Sequence, residues 1–168
     1  MKKYLLLITL LIPVCTLLAQ SKADTEKWIL EKLIKYNKHS LHKGFVAEYD
    51  RTEEYGYSFH FDSYYLVVTY TRKTEVLLLK GSERKSTCIS KIPIYDISNV
   101  STGTASLGIN TNKETVINWC EGNKNDYVGR YFSMGFSYDA ETDLEQRFNR
   151  AFLHLKKFYK KPISTETF

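Results

Sequence analysis

From Tyr57 to Ser137 no stretch of the chain shows helical apolar spacing, so each link between its strands is short enough for a hairpin. Parallel neighbours need a crossover of about a dozen residues or more, usually a helix. The chain is therefore read as an antiparallel sheet, flanked by the helices that precede and follow it.

The strands are marked by period two. Tyr57, Phe59 and Phe61 alternate with Ser58 and His60, and Asp62-Ser63 is a turn. Tyr64–Thr71 is β-branched and aromatic, with Leu66, Val68 and Tyr70 on one face. Arg72–Thr74 reads as a second turn and Val76–Lys80 as a short strand ended by Gly81-Ser82-Glu83. Ser86–Ile97 reads as one longer strand whose Pro93 must lie on an edge or at a bulge. Turns at Asn99–Gly103 and Asn112-Lys113 introduce Ala105–Thr111 and Thr115–Glu121, and the polar loop Gly122–Asp126 precedes Val128–Ser137. His39–Glu54 has no clean period and reads as a connector, with a short strand at Gly44–Tyr49.

Two helices bracket this region. Asp24 is placed to cap one that runs to Asn37, with Trp28, Ile29, Leu33 and Tyr36 at helical spacing. The other begins among Asp139, Glu141, Asp143 and Glu145, where Thr142 and Glu145 fit a capping box. Its apolar stripe is Leu144, Phe148, Ala151, Phe152, Leu155 and Phe158, and Pro162 stops it. The expected fold is α+β: an N-terminal helix, about seven antiparallel strands in a curved sheet or partly open barrel, and a C-terminal amphipathic helix. Strands followed by one such helix, with the run Ile92-Pro93-Ile94-Tyr95-Asp96-Ile97-Ser98-Asn99-Val100, resemble the pleckstrin-homology-like superfold and its GRAM-type members. That resemblance implies a binding module more than a catalyst. The basic cluster that lipid-binding members carry in the first strand loop is replaced here by Asp62-Ser63.

Residues 1–19 are read as a secretory signal peptide: Lys2-Lys3, an apolar run from Tyr4 to Leu18, and cleavage after Ala19. The run is shorter than the ~20 residues of a spanning helix. A lipoprotein reading at Cys15 is the weaker alternative, since Pro13 and Val14 are larger than the small residues such processing usually wants. Residues 20–162 then form one domain, with 163–168 a flexible tail. At 43% hydrophobic and 26% charged, the composition is that of a globular chain. Losing two lysines with the signal takes the formal charge from +5 to +3, too little to argue for nucleic acid.

Cys88 and Cys120 would remain in the exported chain. An even pair outside the cytosol invites a disulfide. Hairpins counted in series, however, set Cys88 opposite roughly residue 114 and Cys120 opposite roughly residue 105. Those positions lie ~30 Å apart along one strand, so no intrachain disulfide is expected.

Catalytic and metal signatures are sparse. His39 and His42 sit three apart with no nearby cysteine to complete a site, and His60 and His154 have no local acidic partner. Neither cysteine lies in a turn that would expose a nucleophile, and there is no GxSxG, HExxH or glycine-rich phosphate loop. Glu53-Glu54 falls in the connector, and the acids from Asp139 to Glu145 are explained by helix capping. No catalytic residue, metal site or cofactor is assigned, and an uncharacterised hydrolase is the least favoured reading. The oddity is 13 tyrosines. Tyr55, Tyr57, Tyr64, Tyr65, Tyr70 and Tyr95 lie in or beside strands and are the candidate binding residues, because tyrosine suits interfaces. The expectation is a periplasmic or extracellular, non-enzymatic binding domain for a protein, peptide or envelope component. The alternative is contact with an anionic lipid surface through the lysines of both helices, without spanning.

Overall fold

A computed structural model describes residues 21–43, 50–76, 83–113, 115–122, 127–137 and 141–161. The expected signal peptide (residues 1–19), the strand expected at Gly44–Tyr49, most of Val76–Lys80, Pro162 and the tail lie outside these residues. The fold is α+β, with every strand pair antiparallel. Helix α1 (Lys22–Tyr36) comes first. Strands β1 (Ser40–Lys43), β2 (Asp50–Phe61), β3 (Tyr65–Val76) and β4 (Arg84–Pro93) follow. A 3-10 turn at Ile94–Asp96 leads to β5 (Ile97–Thr102), β6 (Ser106–Thr111), β7 (Val116–Cys120), β8 (Tyr127–Gly129) and β9 (Tyr131–Gly135), then helix α2 (Leu144–Leu155).

These nine described strands, against about seven expected, form two sheets that do not close on each other. One has six strands in the order β1-β2-β3-β4-β7-β8; the other has three, β5-β6-β9. The chain changes sheet where the sequence suggested continuous strands. Ser86–Ile97 is broken after Pro93, which pairs with Tyr65 of β3 and lies beyond the reach of β7. The 3-10 turn that follows is pinned by Asp96, whose carboxylate accepts from the backbone N of Lys113 at 3.1 Å and the hydroxyl of Thr115 at 2.9 Å. Val128–Ser137 is likewise split at Arg130, whose carbonyl accepts from the backbone N of Thr111 at 2.8 Å.

Ser40–Lys43 and Asp50–Glu54, read as parts of a connector, and Arg72–Thr74, read as a turn, are strand. β1 pairs with β2, and β2 pairs with β3 along nearly its whole length, with Glu54 opposite Arg72 and Glu53 opposite Lys73. The expected turn at Arg72–Thr74 is therefore mid-strand. Polar residues on both faces erased the alternation that marks a half-buried strand.

Serial hairpin counting also fails. β4 pairs with β7, not β5, which puts Cys88 directly opposite Cys120. The two form a disulfide with Cα atoms 4.0 Å apart, which corrects the expectation of free thiols. The excursion through β5 and β6 lies in the other sheet and adds nothing to the register between β4 and β7.

The helices close one end of the fold. Ser21, not Asp24, caps α1, accepting from the Asp24 backbone N at 3.0 Å while Asp24 reaches back as the third residue of a capping box. α2 has no such box. Its N-cap is Asp143 with φ 59°, and Glu145 instead accepts from the backbone N and hydroxyl of Thr102 in β5. Asn149 clips α2 to the same strand, accepting from Val100 N at 2.8 Å and donating to Val100 O at 2.7 Å. Leu144, Phe148, Ala151, Phe152 and Leu155 are buried as the stripe predicts. Phe158 is not, because the helix loosens into a turn after Leu155 and Tyr159 takes the inward position. Glu141 joins the two helices, accepting from Lys32 Nζ and Tyr36 Oη at 2.6 Å each and from Arg147 Nη1 at 2.9 Å. Both sheets and both helices contribute to one apolar core. Among the described residues, no helix is long and apolar enough to cross a membrane.

Candidate ligand-binding pocket

The site grows out of a glycine. Between Tyr55 and Ser58 the β2–β3 register shifts by one residue, and Gly56 sits there with φ 68°. This is a β-bulge with its first residue in the left-handed region, where glycine carries no Cβ penalty. Alternation alone would send Glu54 and Tyr57, three apart, to opposite faces. The extra residue brings both to the inner face, where the Tyr57 hydroxyl donates to Glu54 Oε2 at 3.3 Å.

Opposite Glu54 on β3 is Arg72. Its Nε and Nη2 donate to Glu54 Oε1 at 3.0 and 2.9 Å, and Nη2 also donates to Tyr70 Oη at 3.1 Å. The Glu54 side chain is 8% exposed and that of Arg72 35%. The Tyr57 and Tyr70 rings stack at 5.3 Å. Burial, the largest influence, pushes both phenols above their ordinary range, so they stay protonated donors. The next inward position after Tyr70 across the sheet is the Cys88–Cys120 disulfide. One row further along, Ser90 Oγ donates to Asn118 Oδ1 at 2.5 Å.

Part of this network lines a pocket of about 260 Å³ between the six-stranded sheet and β9. Glu54, Tyr70, Arg72, Asn118 and Cys120 line it from the sheet, and Tyr131, Phe132 and Ser133 from β9. Tyr127 and Tyr131 stand at its mouth, 68% and 48% exposed. The pocket thus offers acceptors, donors and aromatic faces within one small volume.

The six tyrosines chosen from sequence do not form one patch. Tyr70 lines the pocket and Tyr57 supports it from behind. Tyr55 meets His39 edge-on at 5.8 Å. Tyr64 and Tyr65 meet each other at 6.4 Å by the Asp62 turn, and Tyr95 lies in the 3-10 turn. Sequence reasoning missed Glu54, Arg72, Asn118, Tyr127 and Tyr131. The available signal was Gly56 inside an aromatic strand pattern, which marks a bulge. His39 lies 3.6 Å from Glu53, and His154 meets the Phe158 ring at 5.2 Å. Among the described residues, no three His, Cys, Asp or Glu side chains gather to hold a metal ion. Compared with family models, curated proteins and solved structures, the chain matches none.

Proposed function

We propose that this chain is an exported, non-enzymatic binding domain whose pocket holds a small neutral polyhydroxylated molecule, a single sugar ring. The observation that carries this reading is the polar floor of Glu54, Arg72 and Asn118 beneath the rings of Tyr70, Tyr127 and Tyr131. Stability does not require an ion pair there. Replacing a buried pair with apolar residues of similar volume is often neutral or stabilising. Phe59, Val68 and Ile92 fill inward positions farther along the same strands. Polar groups kept against this tendency are a mark of function.

Sugar chemistry fits such a floor. Hydroxyls both donate and accept, matching a carboxylate, a guanidinium and an amide, and the C–H face of the ring rests on aromatic side chains. The formal charges of Glu54 and Arg72 cancel, which favours a neutral ligand over an ion. The volume falls below the roughly 300–1,000 Å³ of drug-sized sites, which suits one ring. Glu54 is the one carboxylate among the described lining residues, and it is committed to Arg72 and Tyr57. Glycoside hydrolysis ordinarily needs two carboxyl groups, so binding is favoured over cleavage. Export is supported by Lys2-Lys3 with its apolar run and by the cysteine pairing. The resemblance to the pleckstrin-homology-like superfold read from the sequence agrees with a binding module and does not select a ligand.

The test is a titration of isotope-labelled protein with neutral monosaccharides, followed by amide chemical shifts. Saturable shifts are expected at Tyr70, Asn118, Tyr127 and Tyr131, with affinity weakened about tenfold in Tyr127→Ala and in Asn118→Ala. No saturable shift across the panel, or full affinity in both variants, rejects the reading.

A further inference from the structure

From Gln146 to Lys161 the chain carries six cationic residues and no acid: Arg147, Arg150, Lys156, Lys157, Lys160 and Lys161. Two of these are occupied. Arg147 binds Glu141, and Lys156 donates to the Ile97 carbonyl at 2.8 Å. The other four are exposed and have no ion-pair partner among the described residues. Glu145, the nearest acid, is held by Thr102.

Spacing turns these residues into a face. Gln146, Arg150 and Leu153 are separated by four and three positions and form the solvent stripe of α2, and the exposed Lys157 follows in the turn beyond it. Leu153 is 63% exposed at its middle, and Phe158 is 48% exposed just beyond. Two large apolar side chains thus project among four exposed cations. Helix α1 offers no equivalent. Its lysines alternate with Asp24, Glu26 and Glu31, and Lys22, Lys32 and Lys35 are paired.

We infer that the outer face of α2 and the segment that follows it dock the protein onto an anionic phospholipid bilayer, with Leu153 and Phe158 entering the headgroup region and Arg150, Lys157, Lys160 and Lys161 bound to lipid phosphates. Charge complementarity selects an anionic surface, and each such cation strengthens partitioning about fivefold. The exposed leucine and phenylalanine favour a bilayer over a soluble polyanion, because the bilayer also offers them an apolar medium. This face is separate from the pocket, so either proposal stands without the other.

Sedimentation with phosphatidylcholine vesicles, with and without phosphatidylglycerol, tests the inference. The full-length mature protein should pellet with the anionic vesicles at low salt and be released at high salt. Leu153→Ser with Phe158→Ser removes only exposed side chains and should weaken binding at least about tenfold. Arg150→Gln with Lys157→Gln should weaken it about 25-fold. Absence of pelleting at low salt overturns the inference. So does salt-sensitive pelleting that L153S/F158S leaves unchanged and that dextran sulfate reproduces, which would assign the face to a soluble polyanion. Circular dichroism of each variant separates lost binding from lost fold.

Discussion

The inner face of the β2–β3 hairpin is built in two ways along one pair of strands. Where Phe59 faces Val68 and Phe61 faces Leu66, it is apolar, and Phe61 lies 6.3 Å from the Tyr159 ring beyond α2. Where Glu54 faces Arg72, it is polar and looks across the pocket to β9. Gly56 marks the boundary, and the bulge keeps one face inward on both sides of it. The apolar half is sealed, so packing dictates its residues. The polar half is nearly as buried at Glu54, yet it keeps a hydrogen-bonded inventory that packing alone does not need.

Perturbing the sealed half should have the largest effect. Phe152 is 1% exposed between α2 and the core. Phe152→Ala should cost about 3–5 kcal/mol by chemical denaturation. An unmoved midpoint would mean that α2 does not hold the core. The disulfide sits at the junction of the halves. Replacing both Cys88 and Cys120 with alanine should cost about 3–4 kcal/mol, read as a lower denaturation midpoint that reducing agent no longer changes. Equal stability of the oxidised and reduced wild type would contradict the Cys88–Cys120 register.

Smaller effects separate the pocket from the helix junction. Glu54→Ala strands the partly buried Arg72 guanidinium and should cost about 2–3 kcal/mol by urea melting. Glu141 should contribute less, about 1–2 kcal/mol, because it is a partly exposed node. Hydrogen bonds from Lys32 and then Tyr36 lower its pKa from 4.5 to about 2. A lowered folded-state pKa stabilises fully above the unfolded value and is lost as pH falls through the folded one. The wild-type advantage over Glu141→Gln should therefore be complete above pH 4.5 and fade towards pH 2. A difference that is constant across this window would contradict the assignment.

Much of the sealed half is legible in the sequence, because packing there imposes period. The α2 stripe from Leu144 to Leu155, the alternation from Tyr57 to Phe61 and the antiparallel pairing all follow from apolar spacing. The pocket is illegible for the same reason. Asp50–Glu54 and Arg72–Thr74 are strand residues whose polar side chains imitate a connector and a turn. A bulge then reverses the parity that would have kept Glu54 and Tyr57 on opposite faces. The disulfide was lost to a different cause. Pro93 signalled a break in the ladder, but nothing local says that the chain leaves one sheet for another and returns to β4. Tyrosine count pointed to the pocket only through Tyr57 and Tyr70, since aromatic residues also favour ordinary strands.

The central claim is that the polar half exists for a ligand and not for the fold. The double substitution Glu54→Leu with Arg72→Met tests it most directly, with denaturation and monosaccharide titration measured on the same protein. The account predicts stability within about 1 kcal/mol of wild type, or above it, together with loss of saturable sugar binding at Tyr70, Asn118 and Tyr127. A variant that loses several kcal/mol, or that still binds the sugar with wild-type affinity, would contradict it.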